Sequence, residues 1–166
     1  MLSENAEALF LNGVYEDVLQ EVLRIQEHLP DHILFLQPYK AQAIKKLAEH
    51  PPTCEAPVVL YISKTDDLSI VAYQAEIVGW DDKRTLPASK YKAITRIIWA
   101  LQPNEEGIYN SSTVEGEESV NLLHIRRLKL LDQPFSVSKL IKTSDGKPYS
   151  ENRTTAGGWS YVKLSS

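Results

Sequence analysis

The chain contains little that would support cross-links, metal binding or a nucleotide cofactor. Its 166 residues include one cysteine, Cys54, which excludes an internal disulfide and a cysteine-rich metal site. The seven glycines form neither GxGxxG nor GxxxxGKS/T. His28 and His32 stand four residues apart, but Pro30 would break the helix needed to align them on a metal. We therefore expect no metal and no cofactor, and an unpaired Cys54 favours a cytoplasmic protein.

The composition also lacks long apolar runs and an excess of positive charge. No stretch approaches the roughly 18 consecutive apolar residues that a membrane span requires, so no membrane association is expected. With 18 Lys and Arg against 22 Asp and Glu, the formal charge is -4. That charge argues against indiscriminate binding to nucleic acid, because such binding depends on cations that displace counterions. The acidic total still leaves room for a local basic face, because several cations lie close together in the sequence: Arg126, Arg127 and Lys129; Lys139, Lys142 and Lys147; and Lys90, Lys92 and Arg96.

An amphipathic helix is predicted near the N-terminus. In the stretch GVYEDVLQEVLRIQE, residues 13–27, apolar side chains recur at helical spacing at Val14, Val18, Val22 and Ile25. Packing of this stripe on the chain's own domain is the favoured interpretation. The alternative is that the helix forms the seam of a homo-oligomer or binds another protein.

After this helix the pattern changes to strands mixed with short helices. Strands are predicted in HILFLQPY, APVVLYIS, LSIVAYQAEIVGW, VNLLHIRRLKLL and WSYVKL, and a short helix in KAQAIKKLAEH. Because strand and helix do not alternate regularly, an α+β fold is favoured over a doubly wound parallel sheet. The expected organisation is an N-terminal helical extension over residues 1–29 and a small β-barrel domain with flanking short helices over residues 30–166.

The hairpin predicted over residues 58–80 carries the most informative side chains. Tyr61 and Ser63 are two residues apart on one strand and therefore share a face, while Trp80 follows at the end of the neighbouring strand. An aromatic ring offers a stacking platform, and a hydroxyl beside it can read the edge of a stacked group. The alternative is that Tyr61 and Trp80 pack in the core or at the rim of the barrel.

Three stretches of the sequence resemble the PUA-like superfamily, the small β-barrels that include the ASCH, EVE and YTH domains. They are ILFLQPYKAQAIKKL, APVVLYISKTDDLSIVAYQAEIVGW and RTTAGGWSYVKL. The resemblance implies a pseudobarrel with a cleft that accepts RNA or DNA, often through a single modified base. It also implies roles for seven residues: Tyr61, Ser63, Trp80 and Trp159 would line the base pocket, and Arg126, Arg127 and Arg153 would hold phosphates.

The same resemblance implies an alternative function. Some ASCH proteins are similar to amidohydrolases that act on acylated cytidine through lysine, threonine and glutamate. Lys46, Thr53 and Glu76 would be the matching set, although the glycine-lysine-threonine stretch of that branch is absent from KKLAEHPPTCEAP. Three functions remain open: a nucleic-acid-binding module that recognises a base, a small amidohydrolase acting on a modified nucleoside, and a protein-interaction adaptor. We favour the first.

Overall fold

The computed structural model describes residues 7–28, 34–36, 43–82, 84–90, 121–153 and 158–165. Within them the chain forms strands, two α-helices and one short 3-10 helix. In chain order these are β1 (Ala8–Val14), α1 (Glu16–His28), β2 (Leu34–Leu36), α2 (Lys45–Glu49), β3 (Val58–Lys64), β4 (Ile70–Asp82), β5 (Asn121–Ser136), the 3-10 helix (Val137–Lys139), β6 (Leu140–Lys142) and β7 (Trp159–Leu164).

The strands join one mixed sheet in the order β2-β5-β4-β3-β1-β7-β6. β1 and β3 are parallel, and the other neighbouring pairs in this order are antiparallel. β2 and β6 lie at the two edges, so the strands that the structure describes do not close on one another. The predicted α+β class is confirmed, and the described sheet is open where the sequence analysis predicts a barrel.

Most of the elements predicted from hydrophobic periodicity are confirmed. α1 covers most of the amphipathic stretch and ends at His28, two residues before Pro30, but Val14, which is predicted on the helix, is the last residue of β1. β3 and β4 form the predicted hairpin, with Leu60 opposite Ala75. β5 and β7 occupy the two later stretches for which strands are predicted.

Strand β1 is not among the predicted elements, and it lies inside the sheet between β3 and β7. Leu9 and Leu11 of this strand pack in the same core as Leu19, Val22 and Ile25 of α1. The N-terminal segment therefore supplies sheet and core, rather than an extension beside them. The apolar stripe of α1 is buried within its own chain at Leu19, Val22 and Ile25, which agrees with the favoured interpretation of the sequence.

Apolar side chains form a core on each face of the sheet, because adjacent residues of a strand point in opposite directions. The helix-side core lies under α1 and α2 and includes Leu9, Leu19, Leu47, Leu60, Ile77 and Ile125. The second core lies on the other face and includes Phe10, Tyr61, Val71, Val137, Leu140 and Val162. No helix among the described residues has the length and apolar character needed to cross a membrane.

Asn121 links the start of α2 to the end of β4 through hydrogen bonds. Its side chain is fully buried at the start of β5. Its Oδ1 accepts hydrogen bonds from the backbone N–H of Ile44, just before α2, and from the indole N–H of Trp80, both at 2.9 Å. Since buried polar groups need partners, this one oxygen satisfies two donors and fixes α2 against the end of β4.

We expect Asn121→Ala to lower the free energy of unfolding by about 2–4 kcal/mol, because two partly or fully buried donors lose their acceptor. Urea unfolding followed by circular dichroism measures the change. Asn152→Ala is the control, since Asn152 is exposed and its substitution should change stability by less than about 0.5 kcal/mol. Equal effects of the two substitutions would contradict the role of Asn121.

Candidate nucleic-acid interface

Two consecutive arginines of β5 reach the same carboxylate. Arg126 Nε lies 3.2 Å from Glu76 Oε1, and Arg127 Nη1 lies 3.1 Å from the same oxygen. Consecutive residues of a regular strand point to opposite faces of the sheet. A local change in β5 is therefore needed to bring both guanidinium groups to one side.

That change is a β-bulge. Between the pairs Glu76–Arg126 and Gln74–Lys129, β4 advances by two residues and β5 by three. Arg127 adopts a φ of 56°, in the left-handed region that residues with a Cβ rarely occupy. A conformation of this kind costs on the order of 1–2 kcal/mol.

Helix α1 supports the bulge through Gln26. Its side-chain amide donates to the carbonyl of Leu128 and accepts from the N–H of Leu128, both at 2.8 Å. The described pairing of β2 with β5 extends only as far as Ile125. At Leu128 the amide of Gln26 therefore occupies the position that a neighbouring strand would take, and both backbone polar groups are satisfied.

The cluster is fixed on one side and open to solvent on the other. The side chains of Arg126 and Glu76 are 17% and 20% exposed, whereas that of Arg127 is 60% exposed. Arg126 also donates to the carbonyl of Cys54 at 3.0 Å. Lys129 is exposed and shares a face with Arg126, since both are cross-strand partners of β4 residues two positions apart. Two guanidinium groups against one carboxylate leave positive charge in excess. We call Arg126, Arg127 and Lys129 the basic ridge.

Tyr61 and Ser63, two members of the predicted base pocket, lie inside the protein. Tyr61 packs edge-on against Phe135 in the second core, with ring centroids 5.7 Å apart, and burial raises the pKa of its phenol. Ser63 is fully buried, and its hydroxyl accepts a hydrogen bond from the backbone N–H of Gly13 at 3.0 Å. Both side chains are used in packing and internal hydrogen bonding.

Trp80 lies against the other core. It packs on the helix-side core, on the opposite face of the sheet from Tyr61. Simple alternation from Gln74, the partner of Tyr61, would place Trp80 on the same face as Tyr61. Between Ile77 and Gly79, however, β4 advances by two residues while β5 advances by one, and this irregularity reverses the alternation. The predicted convergence of Tyr61, Ser63 and Trp80 does not occur.

Arg153 does not join the other predicted phosphate-binding arginines. Its guanidinium carbon lies 4.7 Å from the ring centroid of Tyr149 and 5.6 Å from that of Phe10. It donates to the carbonyl of Leu68. Burial lowers the pKa of Arg153, although Tyr149 acts in the opposite direction. The side chain is placed as a stacking partner for the second core.

Trp159 lies on β7 and packs against the helix-side core. Its ring is edge-on to Tyr161, with centroids 6.3 Å apart. Lys46 Nζ lies 4.6 Å from the Tyr161 centroid and 2.6 Å from a carboxylate oxygen of Glu7. Trp159 therefore packs near Lys46 and on the opposite face of the sheet from Tyr61.

The residues of the predicted hydrolase set are not assembled into one site. Lys46 pairs with Glu7, whereas Glu76 pairs with the two arginines of β5. The hydroxyl of Thr53 accepts from the N–H of Ala56 within an exposed turn. In the described part of the chain, no hydrogen bond or ion pair joins Lys46 to Thr53 or to Glu76. The geometry gives no support to a shared catalytic role for the three.

A partly buried Asp–His pair is not predicted from the sequence. His124 Nε2 lies 2.7 Å from Asp81 Oδ2, and Lys90 Nζ lies 3.2 Å from the same oxygen. The His124 ring also packs on Gly79, its cross-strand partner, where a Cβ would come within 2.6 Å of Nδ1. Burial lowers the pKa of His124, although Asp81 acts in the opposite direction. Only the strand register brings these residues together, and both ring nitrogens face protein atoms.

The described part of the chain contains no group of three or more His, Cys, Asp or Glu residues placed to hold a metal ion. No protein-family model matches the chain, no curated protein matches it, and no solved structure matches it. The similarity to PUA-like domains therefore stays a prediction from three sequence stretches. The chemistry of the basic ridge has to be inferred from its own geometry.

Acidification is expected to destabilise the protein through His124. Because the pKa of His124 is lowered in the folded state, the unfolded chain takes up the proton at a higher pH than the folded chain does. The contribution of neutral His124 is complete above its ordinary pKa of 6.5 and is lost as the pH falls from there toward the lowered value. Urea unfolding at about pH 7.5 and about pH 5.5 measures this loss. His124→Gln should show a smaller loss than the wild type, and equal losses would contradict the assignment.

Proposed function

We propose that the protein binds nucleic acid through the basic ridge on β5. One observation carries the proposal: a β-bulge turns two consecutive arginines to the same side of the sheet and joins both to Glu76. A guanidinium group presents several donors in a rigid fork that matches the oxygens of a phosphate. Arg126 and Glu76 are largely buried, so their positions are fixed by the protein. Arg127 is mostly exposed and is accessible to a ligand.

The ridge suits a polymer better than a single small anion. Its cations are spaced along a strand, in which residues rise by roughly 3.3 Å each, and a nucleic acid also carries its charges along a backbone. Contacts to phosphate position a protein on nucleic acid without reading its sequence. Tyr61 and Ser63 are enclosed, so recognition of a base by the hairpin is not part of this proposal.

Glu76 limits what the ridge binds. Its carboxylate offsets part of the positive charge of Arg126 and Arg127, and the whole chain carries a formal charge of -4. A ligand must therefore be placed close to Arg127 and Lys129 to gain from them, because repulsion from the rest of the protein opposes binding elsewhere. We expect binding that weakens steeply with added salt. The resemblance to PUA-like domains supports the same ligand class, RNA or DNA.

A cytoplasmic location accompanies this proposal. Cys54 is a free and exposed thiol. Thiols of this kind persist in reducing compartments.

We expect Arg127→Ala to weaken binding to a mixed-sequence oligonucleotide. It should also reduce the slope of log K against log salt concentration by about 0.9 for a duplex and about 0.7 for a single strand, one phosphate contact in each case. Fluorescence anisotropy across a salt series measures both quantities. The matched control is Arg84→Ala, because Arg84 is 62% exposed and pairs with a carboxylate, Asp82, at 2.8 Å on another part of the surface.

Arg84→Ala should leave the slope unchanged. If the wild type shows no salt-sensitive binding to RNA or DNA, single-stranded or duplex, the proposed function is wrong. If Arg127→Ala and Arg84→Ala reduce the slope equally, binding is diffuse and the ridge is not the interface. Glu76→Gln gives a test of opposite sign: the amide oxygen can still accept from the arginines and hold the ridge in place, while loss of the negative charge should strengthen binding.

A further inference from the structure

We propose that Gln26 is a positioning residue for the basic ridge: through Leu128 it holds the β-bulge that keeps Arg126 and Arg127 on one side of the sheet. The inference rests on the proposed function, because the ridge acts there as the phosphate-binding element. Gln26 acts through the backbone of Leu128, the residue that follows Arg127, and not through the side chain of Arg127.

The geometry of the two hydrogen bonds supports this role. A primary amide carries an N–H donor and a C=O acceptor in one plane, as a peptide group does. The Gln26 amide uses both on the same residue, donating to Leu128 O and accepting from Leu128 N at 2.8 Å each. Both bonds are partly buried and join residues 102 positions apart in the chain. A side chain thus completes the edge of β5 at the bulge.

The contact between Gln26 and Leu128 is fixed because α1 is anchored in the helix-side core. Val22 and Ile25, on the turn that carries Gln26, are buried in the helix-side core, with side chains 1% and 3% exposed. The helix cannot shift along β5 without disturbing that core. The position of Gln26, and with it the hydrogen bonding of Leu128, is therefore set by the packing of α1.

The bulge requires such support because its backbone is strained. Arg127 has a positive φ, and a regular strand would relieve it. In a regular strand, however, Arg126 and Arg127 would point to opposite faces, and only one of them could reach Glu76. Holding Leu128 in place fixes the extra residue in β5, and the extra residue brings the two arginines together.

The test replaces Gln26 with methionine, which has similar length and no hydrogen-bonding amide. The backbone amide of Leu128 should lose about tenfold of its protection against hydrogen exchange, as the loss of its hydrogen bond implies. The salt slope for binding a mixed-sequence oligonucleotide should fall by about 0.9 for a duplex, since Arg127 no longer stands beside Arg126. Gln20→Met is the control on the same helix, because Gln20 bonds the side chain of Tyr73 and not β5.

A second variant, Gln26→Glu, adds a pH-dependent rescue. A neutral carboxyl group can donate to Leu128 O and accept from Leu128 N, whereas a carboxylate can only accept. Hydrogen bonding of the neutral form raises the folded-state pKa of the introduced group above about 4.3. The carboxylate keeps the bond from Leu128 N–H and loses the bond to Leu128 O, so the free energy of unfolding of this variant should match the wild type below about pH 4.3 and fall below it as the pH rises through the raised pKa. The difference in stability between Gln20→Met and the wild type should show no such transition.

The possible results separate this inference from the proposed function. If the wild type binds no nucleic acid, the proposed function fails, and Leu128 protection still decides whether Gln26 holds the bulge. If Gln26→Met keeps both the protection and the salt slope of the wild type, the inference is overturned while binding stands. If the protection is lost and the slope is unchanged, Gln26 supports the strand alone and is not a positioning residue for the ridge.

Discussion

The unequal pairing of β4 with β5 is the constraint on which the candidate site depends. β5 contains an extra residue at Arg127, and β4 gains one between Ile77 and Gly79. Each extra residue reverses the alternation of side chains beyond it. The first brings two arginines to one carboxylate, and the second turns Trp80 toward the helices. The positions at which the pairing of β4 and β5 shifts therefore decide which side chains lie on each face of the sheet.

The energetics of Arg127 indicate what holds the bulge. Its left-handed backbone costs on the order of 1–2 kcal/mol. An ion pair whose arginine is 60% exposed contributes about 0–1 kcal/mol, which alone does not offset that cost. Two hydrogen bonds from Gln26 contribute about 0.5–1.5 kcal/mol each. The helix therefore supplies the larger share of the compensation, and the ion pair sets the direction of the arginine side chains.

Local patterns in the sequence were sufficient to predict the elements that have a clear period. The alternation in β4, the helical spacing in α1 and the apolar run of β3 each predict the element that forms. β1 was missed because ALFL is a short apolar run without alternation, and its parallel pairing with β3 spans about fifty residues. A period within one segment carries no information about partners that far away.

The candidate site was predictable only in part, for a related reason. The neighbouring positions of Arg126 and Arg127 show a cluster of positive charge already in the sequence, since charge is visible without structure. Alternation also placed Tyr61 and Ser63 on one face, but it could not show that Phe135 covers Tyr61 from a distant segment. The bulge was not predictable, because a positive φ is expected at glycine and residue 127 is an arginine.

Charge balance also explains why a carboxylate, that of Glu76, lies against the basic ridge. Without Glu76, Arg126 would be a guanidinium only 17% exposed whose remaining partner is the carbonyl of Cys54. A charge so placed is costly unless it is paired. Glu76 therefore keeps Arg126 stable in the absence of a ligand, and Arg127 and Lys129 remain the groups that a phosphate can reach. Affinity for an anion then depends on the exposed cations, while the buried pair fixes where they stand.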